Sequence, residues 1–377
     1  MNTLLALLVL LATRPGAQAT ALDAARLERL YGQVAASYDS TRGGFVTRDE
    51  APVESAIELA FALGRERGDP LWTARARRTV DWMNALYDST GGGFFLRRKD
   101  ADPREPSFEK PTSANARRLE NLVDALRGGG DESRKIPARV VDYMERVLAD
   151  GRGGFVVGQV GSRALVPEAN GQAIHAWLRW AAATADPRPR DFALKSLDRV
   201  WESCWAEGLG LTRPDEFGEA AAAPRLVDQT EMGRAFVLGA HLAGRQADLD
   251  RARTLGELLL SHFEDPEKGG FAEHARPTGP EKVRRGGREF DQNAQAVRFL
   301  AELAAITGKN EYRDAARRAV QAFEKDLGRK RENAADWALA LRALRVPDLP
   351  QRPAWREPPK VGPAPEQPRV FRPTAGR

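Results

Sequence analysis

One phrase, Asp-x-x-x-Gly-Gly-Phe, recurs along the chain. It runs from Asp39 to Phe45, Asp88 to Phe94 and Asp265 to Phe271, with a shorter copy at Asp150 to Phe155 and a degenerate one at Glu207 to Leu211. The steps between Phe45, Phe94, Phe155, Leu211 and Phe271 are 49, 61, 56 and 60 residues. Self-similarity at such a period marks a repeat architecture, in which each unit buries its apolar face against the next.

Two helical stretches separate successive copies. After Phe45, Ile57, Leu59, Ala60, Phe61 and Leu63 form an apolar run, Gly64 to Pro70 breaks it, and Leu71 to Tyr87 resumes with Val80, Met83 and Leu86 at helical spacing. The same pattern predicts helices over 111–127, 134–149, 168–184, 190–204, 228–244, 248–264, 291–307 and 310–327, with one unpaired helix at each end, near 22–37 and 333–345. The unpaired pair meets only if the chain ends come together. The expected fold is therefore all-α: an (α/α)6 toroid of six helical hairpins, closed by the first and last helices and joined by short Gly-Gly-Phe loops. An open superhelix of helical pairs is the alternative, but this period is longer than the usual helical solenoid repeats.

Three segments are expected. Residues 1–19 read as a signal peptide, with an apolar stretch from Leu4 to Ala12 and a small-x-small cleavage site at Ala17-Gln18-Ala19, which places the protein in the periplasm or outside the cell. That stretch is too short to leave a membrane span in the mature chain. Residues 20–345 form the toroid. Residues 346–377, with nine prolines in 32 positions, read as a disordered tail. The net charge of +5 sits mostly in that tail, so the nearly neutral body offers no electrostatic footprint for nucleic acid. The single cysteine, Cys204 between Trp201 and Trp205, reads as a buried thiol and rules out a disulfide within the chain or a thiol-based zinc site. One carboxylate per loop falls short of a calcium site, so neither a metal nor a cofactor is expected. The loop Asp, Gly-Gly and Phe are read instead as turn acceptor, positive-φ pair and apolar plug.

In a toroid the starts of the inner helices converge on the central cavity. Here they carry more polar residues than capping requires: Glu54-Ser55, Thr112 to Asn115, Glu168 to Gln172, Asp228 to Glu231, Asp291 to Asn293, and Asn333 with Asp336. The surplus suggests a polar cavity floor that includes Asn115, Asn170, Gln172, Gln229, Asn293 and Asp336, with solvation of the ring centre as the plainer explanation.

From Leu226 to Phe323 the chain resembles the C-terminal part of the spermatogenesis-associated, thioredoxin-like protein family. The stretches LVDQ, FEDPEKGGF, FDQNAQAVRFLAELAAITG and EYRDAARRAVQAF carry the likeness. In that family a six-hairpin toroid, related in fold to six-hairpin glycosidases and N-acylglucosamine 2-epimerases, follows a thioredoxin-like domain. This chain has no such domain and no Cys-x-x-Cys. What the resemblance implies is a carbohydrate-binding cavity, with a separate thioredoxin-like partner to supply the missing half.

Hydrolysis of a sugar needs two carboxylates flanking the glycosidic bond. Asp228 and Asp291, taken as equivalent positions on neighbouring inner helices, are the first candidates, followed by Glu54 and Glu231. Trp177, and with it Trp180 and Trp337, is a candidate for stacking on a sugar ring. Arg288, beside Arg284, Arg285 and Arg225, is a candidate for binding a uronic acid or similar anionic group. The resembling 2-epimerases use histidines, and only His175 lies on an inner helix, so epimerisation ranks below hydrolysis. A toroid that binds carbohydrate, or acts as a scaffold, without catalysis is the third reading.

Overall fold

The computed structural model describes residues 15–97, 108–126, 134–214, 220–221, 224–275, 287–327, 329 and 333–355. Among these lie twelve helices: α1 (Pro15–Ala36), α2 (Glu54–Arg67), α3 (Pro70–Asn84), α4 (Thr112–Leu126), α5 (Lys135–Tyr143), α6 (Pro167–Thr184), α7 (Pro187–Cys204), α8 (Leu226–Ala243), α9 (Gln246–Leu258), α10 (Phe290–Thr307), α11 (Asn310–Ala322) and α12 (Ala334–Ala343). Helices α5 and α9 each end in a π-helical turn, Met144–Leu148 and Leu259–Phe263. Two small hairpins, β1 (Trp205–Ala206) with β2 (Gly210–Leu211) and β3 (Arg213–Pro214) with β4 (Ala220–Ala221), interrupt the helical pattern.

The even-numbered helices pack side by side in an inner ring, α2 to α4 to α6 to α8 to α10 to α12 and back to α2, and α1 pairs with α12. This is the closed toroid that the unpaired terminal helices predicted. Ser55 on α2 donates to Asp336 on α12 at 3.3 Å, Arg342 of α12 pairs with Glu66 of α2, and Arg26 of α1 reaches Glu324 beyond α11 at 2.5 Å. The inner helices are buried nearly all round, which accounts for their long apolar stretches, while α5 and α11 show a sharp apolar stripe toward the ring. Proline at the first position with an aspartate cap, as at Asp69-Pro70 and Asp186-Pro187, starts two of the outer helices; each aspartate accepts from the backbone N–H two residues on.

Each Gly-Gly-Phe loop joins an outer helix to the next inner one. Asp39, Asp88 and Asp265 each accept two backbone N–H bonds from the turn that follows, at 2.8–3.0 Å. The plug residues Phe45, Phe94, Phe155, Leu211 and Phe271 are 0–1% exposed. Gly93 sits at φ +73°, and a Cβ there would stand 2.4 Å from the Tyr143 ring, so both conformation and space demand glycine.

The helix that begins the chain starts at Pro15, ahead of Ala19, and residues 1–14 lie outside the described residues. No described helix is long and apolar enough to cross a membrane. Packing continues past the boundary expected at 345. Leu349 and Trp355 lie against the core, and the guanidinium of Arg190 stands 4.5 Å above the Trp355 ring. The remainder of the Pro-rich tail, 356–377, lies outside the described residues.

Candidate functional site

A repeated clamp sets the register of the inner helices. Asn115, Asn170, Gln229 and Asn293 each accept a hydrogen bond from the backbone N–H of a loop plug residue (Phe94, Phe155, Leu211, Phe271) at 2.7–2.8 Å. The same amides donate back to that residue's carbonyl and to the carbonyl four residues earlier, on the residue just before their own helix. All four side chains are fully buried. Their oxygen and both N–H groups bind backbone, which assigns these four expected ligand contacts to loop anchoring. The polar surplus at these helix starts has that structural cause.

Counted from the clamp, the inward positions fall in layers at the spacing of one helix face. Two residues beyond it stand Arg117, Gln172, Glu231 and Gln295, and Ser55 and Asp336 join this mouth layer from α2 and α12. Five residues beyond stand Glu120, His175, Arg234 and Arg298, with Glu58 bonded to Arg298. Nine residues beyond stand Asp124, Arg179 and Glu302. By the same count Asp228 is one residue before its clamp and Asp291 two before, so the two are not equivalent positions. Asp228 is buried and held by Arg213 through two bonds at 2.8 and 3.0 Å, and it also accepts the Glu168 N–H at 3.0 Å. Asp291 is exposed at the start of α10.

Other expected site residues divide in the same way. Trp177 is 1% exposed and packs edge-on against Phe155 and beside Phe192, and Trp337 donates to the Phe290 carbonyl at 3.0 Å. Both rings pack between inner and outer helices. Arg288 donates to the carbonyls of Lys268 and Gly269 and lies over the Phe323 ring, which ties down the fifth loop. Arg284 and Arg285 lie outside the described residues. Glu54 accepts from Arg118 at 3.3 Å on the rim. Gln172, His175, Glu231 and Asp336 do come together in the ring interior. Among the other histidines, His241 bonds the Pro350 carbonyl, His262 touches Ser261 on an outer helix and His274 lies near Glu273.

In the mouth layer Glu231 accepts from Arg117 at 2.8 Å and from the Gln172 amide at 3.3 Å. Gln172 is 7% exposed and its Oε1 has no hydrogen-bond partner. An unpaired buried carbonyl is costly, and a ligand hydroxyl would satisfy it. Burial raises the Asp336 carboxyl to about 6, with Arg117 and the Ser55 hydroxyl only partly opposing it. One layer deeper, His175 Nδ1 meets the Glu120 carboxylate. Burial alone would raise Glu120, but His175 and then Arg179 bring it down to about 2. Glu58 is likewise held well below the usual carboxylate range by Arg298, against its burial. No group of metal-ligating side chains occurs among the described residues.

The ring of twelve helices has parallels among solved structures. The chain superimposes on a D-mannose isomerase with a TM-score of 0.72, at 13% identity over 88% of this chain and 99% of that one. The two share a fold. Cellobiose 2-epimerase from Spirochaeta thermophila shares the six-hairpin fold with a TM-score of 0.64, 16% identity, and coverage of 85% and 97%. A family 76 α-mannanase from Bacteroides thetaiotaomicron shares it with a TM-score of 0.65, 11% identity, and coverage of 85% and 95%. No protein-family model matches the sequence, and no curated protein is similar to it. The likeness is thus one of fold alone and does not single out the spermatogenesis-associated family.

Arg117, Glu120, Arg234, Arg298 and Glu302 were not among the expected site residues, which apart from His175 and Trp177 lie at or just before the helix starts. Their signal was present: polar or charged residues at i, i+3 and i+7 in otherwise apolar helices, as in Arg117, Glu120 and Asp124 or Gln295, Arg298 and Glu302.

Proposed function

We propose that this protein is a carbohydrate-active enzyme that takes a sugar at the mouth layer of the inner ring. The observation that carries the reading is the mouth layer itself: the unpaired Gln172 carbonyl, the Arg117–Glu231 pair and the raised Asp336 carboxyl face one interior. Two carboxylates in unequal environments are what general acid and base work needs. In the hydrolytic form, Asp336 keeps its proton up to about pH 6 and gives it to the leaving glycosidic oxygen, while Glu231 supplies the carboxylate on the other side of the bond. Arg117 and Gln172 hold Glu231 in place and bind ring hydroxyls. These roles pass from Asp228 and Asp291 because the clamp register puts those two out of step, Asp228 against Arg213 ahead of the mouth layer and Asp291 exposed at the start of α10.

One observation favours a second chemistry, isomerisation or epimerisation next to the carbonyl of a free sugar. His175 binds Glu120 through Nδ1, and its Nε2 has no partner among the described residues, the arrangement of an oriented base. The names of the structural relatives, which include a D-mannose isomerase, cellobiose 2-epimerases and glycoside hydrolases, are compatible with either form. Export to the periplasm or outside the cell remains part of the proposal, as does a separate thioredoxin-like partner.

Incubation with mono- and oligosaccharides in D2O, followed by NMR, tests the reading. Hydrolysis creates new reducing ends, whereas isomerisation or epimerisation exchanges the proton at C-2. Loss of the reaction in Glu231→Gln and Asp336→Asn supports the hydrolytic form, and loss in His175→Asn with new C-2 deuterium supports the other. Full activity in all three folded variants would sink the site.

A further inference from the structure

The far end of the ring, where the inner helices finish, is crossed by the chain itself. After α12 the backbone turns at Arg345 and Val346, both of which donate to the Arg342 carbonyl. Pro350 O then accepts from His241 Nε2 at 2.9 Å at the end of α8, and Trp355 reaches Arg190 at the start of α7. This strap therefore spans from α12 to the opposite side of the ring. With Val123, Leu126, Arg179 and Ala182 it bounds a cleft at the rear.

Asp348, in the middle of the strap, points a carboxylate at the ring axis, 3.9 Å from Arg298. Arg298 in turn stands 3.2 Å from Glu302, Glu302 3.1 Å from Arg234, Arg234 3.8 Å from Glu231, and Glu231 2.8 Å from Arg117. The result is one ladder of alternating charge from the rear strap to the mouth layer. Its interior rungs are at most 10% exposed, while its two ends, Asp348 at 28% and Arg117 at 26%, are open to water. A buried charge that loses its partner is costly, so each member must move to keep its neighbours paired. Asp348 also faces Arg179 from α6 and Arg342 from α12, with the carboxylates of Glu58 on α2 and Asp124 on α4 nearby. Arg179 donates to Asp124 Oδ1 at 3.0 Å, leaving the buried Oδ2 without a hydrogen bond, and also faces the carboxylates of Asp348, Glu120 and Glu58.

We propose that residues 346–355 are a rear strap whose Asp348 acts as a positioning residue for the mouth layer, holding Arg298 so that Glu302, Arg234 and Glu231 keep their places and Arg117 faces the ligand. The proposal uses the location of the site described above but not its chemistry, so it is testable without a known substrate. A chain of contacts is not itself coupling, and the test must show an effect at the far end.

Hydrogen exchange on the full-length protein, read by mass spectrometry, compares the unaltered chain with Asp348→Asn, Asp348→Glu and Trp355→Ala. Asp348→Asn keeps shape and removes charge, so exchange should rise several-fold at the rear and also in the mouth segments 112–120 and 226–234. Asp348→Glu should restore the mouth segments. Trp355→Ala, which removes the contact with Arg190 at the far end of the strap and keeps the Asp348 carboxylate, should change the rear alone. The proposal is overturned if Asp348→Asn alters only the rear, if it alters nothing, or if Trp355→Ala disturbs the mouth equally, since that last outcome would make the strap simple packing.

Discussion

At the scale of single residues, the same side-chain types serve two ends in this protein, and burial with hydrogen-bond count separates them. Asn293 uses all of its polar atoms on loop and helix backbone, whereas Gln172 leaves its carbonyl unpaired inside the ring. Asn293→Ala is therefore expected to lower stability by about 2 kcal/mol, the order expected when buried backbone groups lose their partner, and to leave the affinity of the folded protein for any sugar unchanged. Urea melts alongside ligand titrations check both halves. A different residue carries a pH effect. Asp248 on α9 is 0% exposed, neither of its oxygens has a hydrogen bond, and burial pushes it up to about 6 against the opposing Arg245 and Arg251. A carboxyl raised in the folded state favours folding only while protonated. Its contribution is complete below the ordinary value of 3.8 and is lost as pH rises through about 6. Asp248→Asn should thus match the unaltered protein near pH 4 and exceed it in melting temperature at pH 8. An equal difference at both pH values would mean that the proton is not the cause.

At the scale of elements, close approach between inner helices places the mouth layer. Gly171 on α6 lies against the backbone of α8, where an added Cβ would stand 2.4 Å from the Glu231 carbonyl carbon and 2.6 Å from Met232 N. Backbone cannot swing aside as a side chain can, so the helices themselves would have to part. Gly171→Ala should cost about 1–3 kcal/mol, the usual range for overpacking, and should also weaken ligand binding, because Glu231 moves with α8. Unchanged sugar affinity in a destabilised Gly171→Ala protein would show that the Gln172–Glu231 contact is not part of the site. The hairpin units were readable along the chain because helix periodicity and glycine or proline punctuation are local signals. The two π-helical turns and the 205–221 hairpins were not, since each is set by what it meets: Arg213 emerges from its hairpin to bind Asp228 and Glu168 on two different helices.

At the scale of the whole molecule, closure is what separates this toroid from a helical solenoid. The last inner helix, α12, touches α1, α2 and α10 at once, so removing it exposes apolar faces on both sides of a gap. A chain ending at Leu327 should fail to fold cooperatively, with loss of the thermal transition by circular dichroism. An open repeat array would instead lose only its terminal unit and keep a transition. Closure also explains why the interior is charged. Inner helices with polar residues at one face and apolar residues elsewhere turn the polar face to the ring interior, where ion pairs between helices distant in sequence, such as Glu58 with Arg298, form.

The sequence by itself determined the repeat, the helices, their pairing and the need for closure, because each follows from spacing and turn chemistry within a few dozen residues. It also pointed to the starts of the inner helices, and the ring interior is where Gln172, His175, Glu231 and Asp336 lie. Only the tertiary structure decided which polar side chains have hydrogen-bonding capacity left for a ligand. Asn115 and Gln172 look alike as amides near a helix start, and what separates them is a loop carbonyl that arrives from another part of the chain. Likewise the clamp register moved Asp228 and Asp291 out of step, and the strap reached the ring axis through Asp348. A pattern along one strand of sequence reports which face a residue lies on, but not which partners converge on that face from elsewhere.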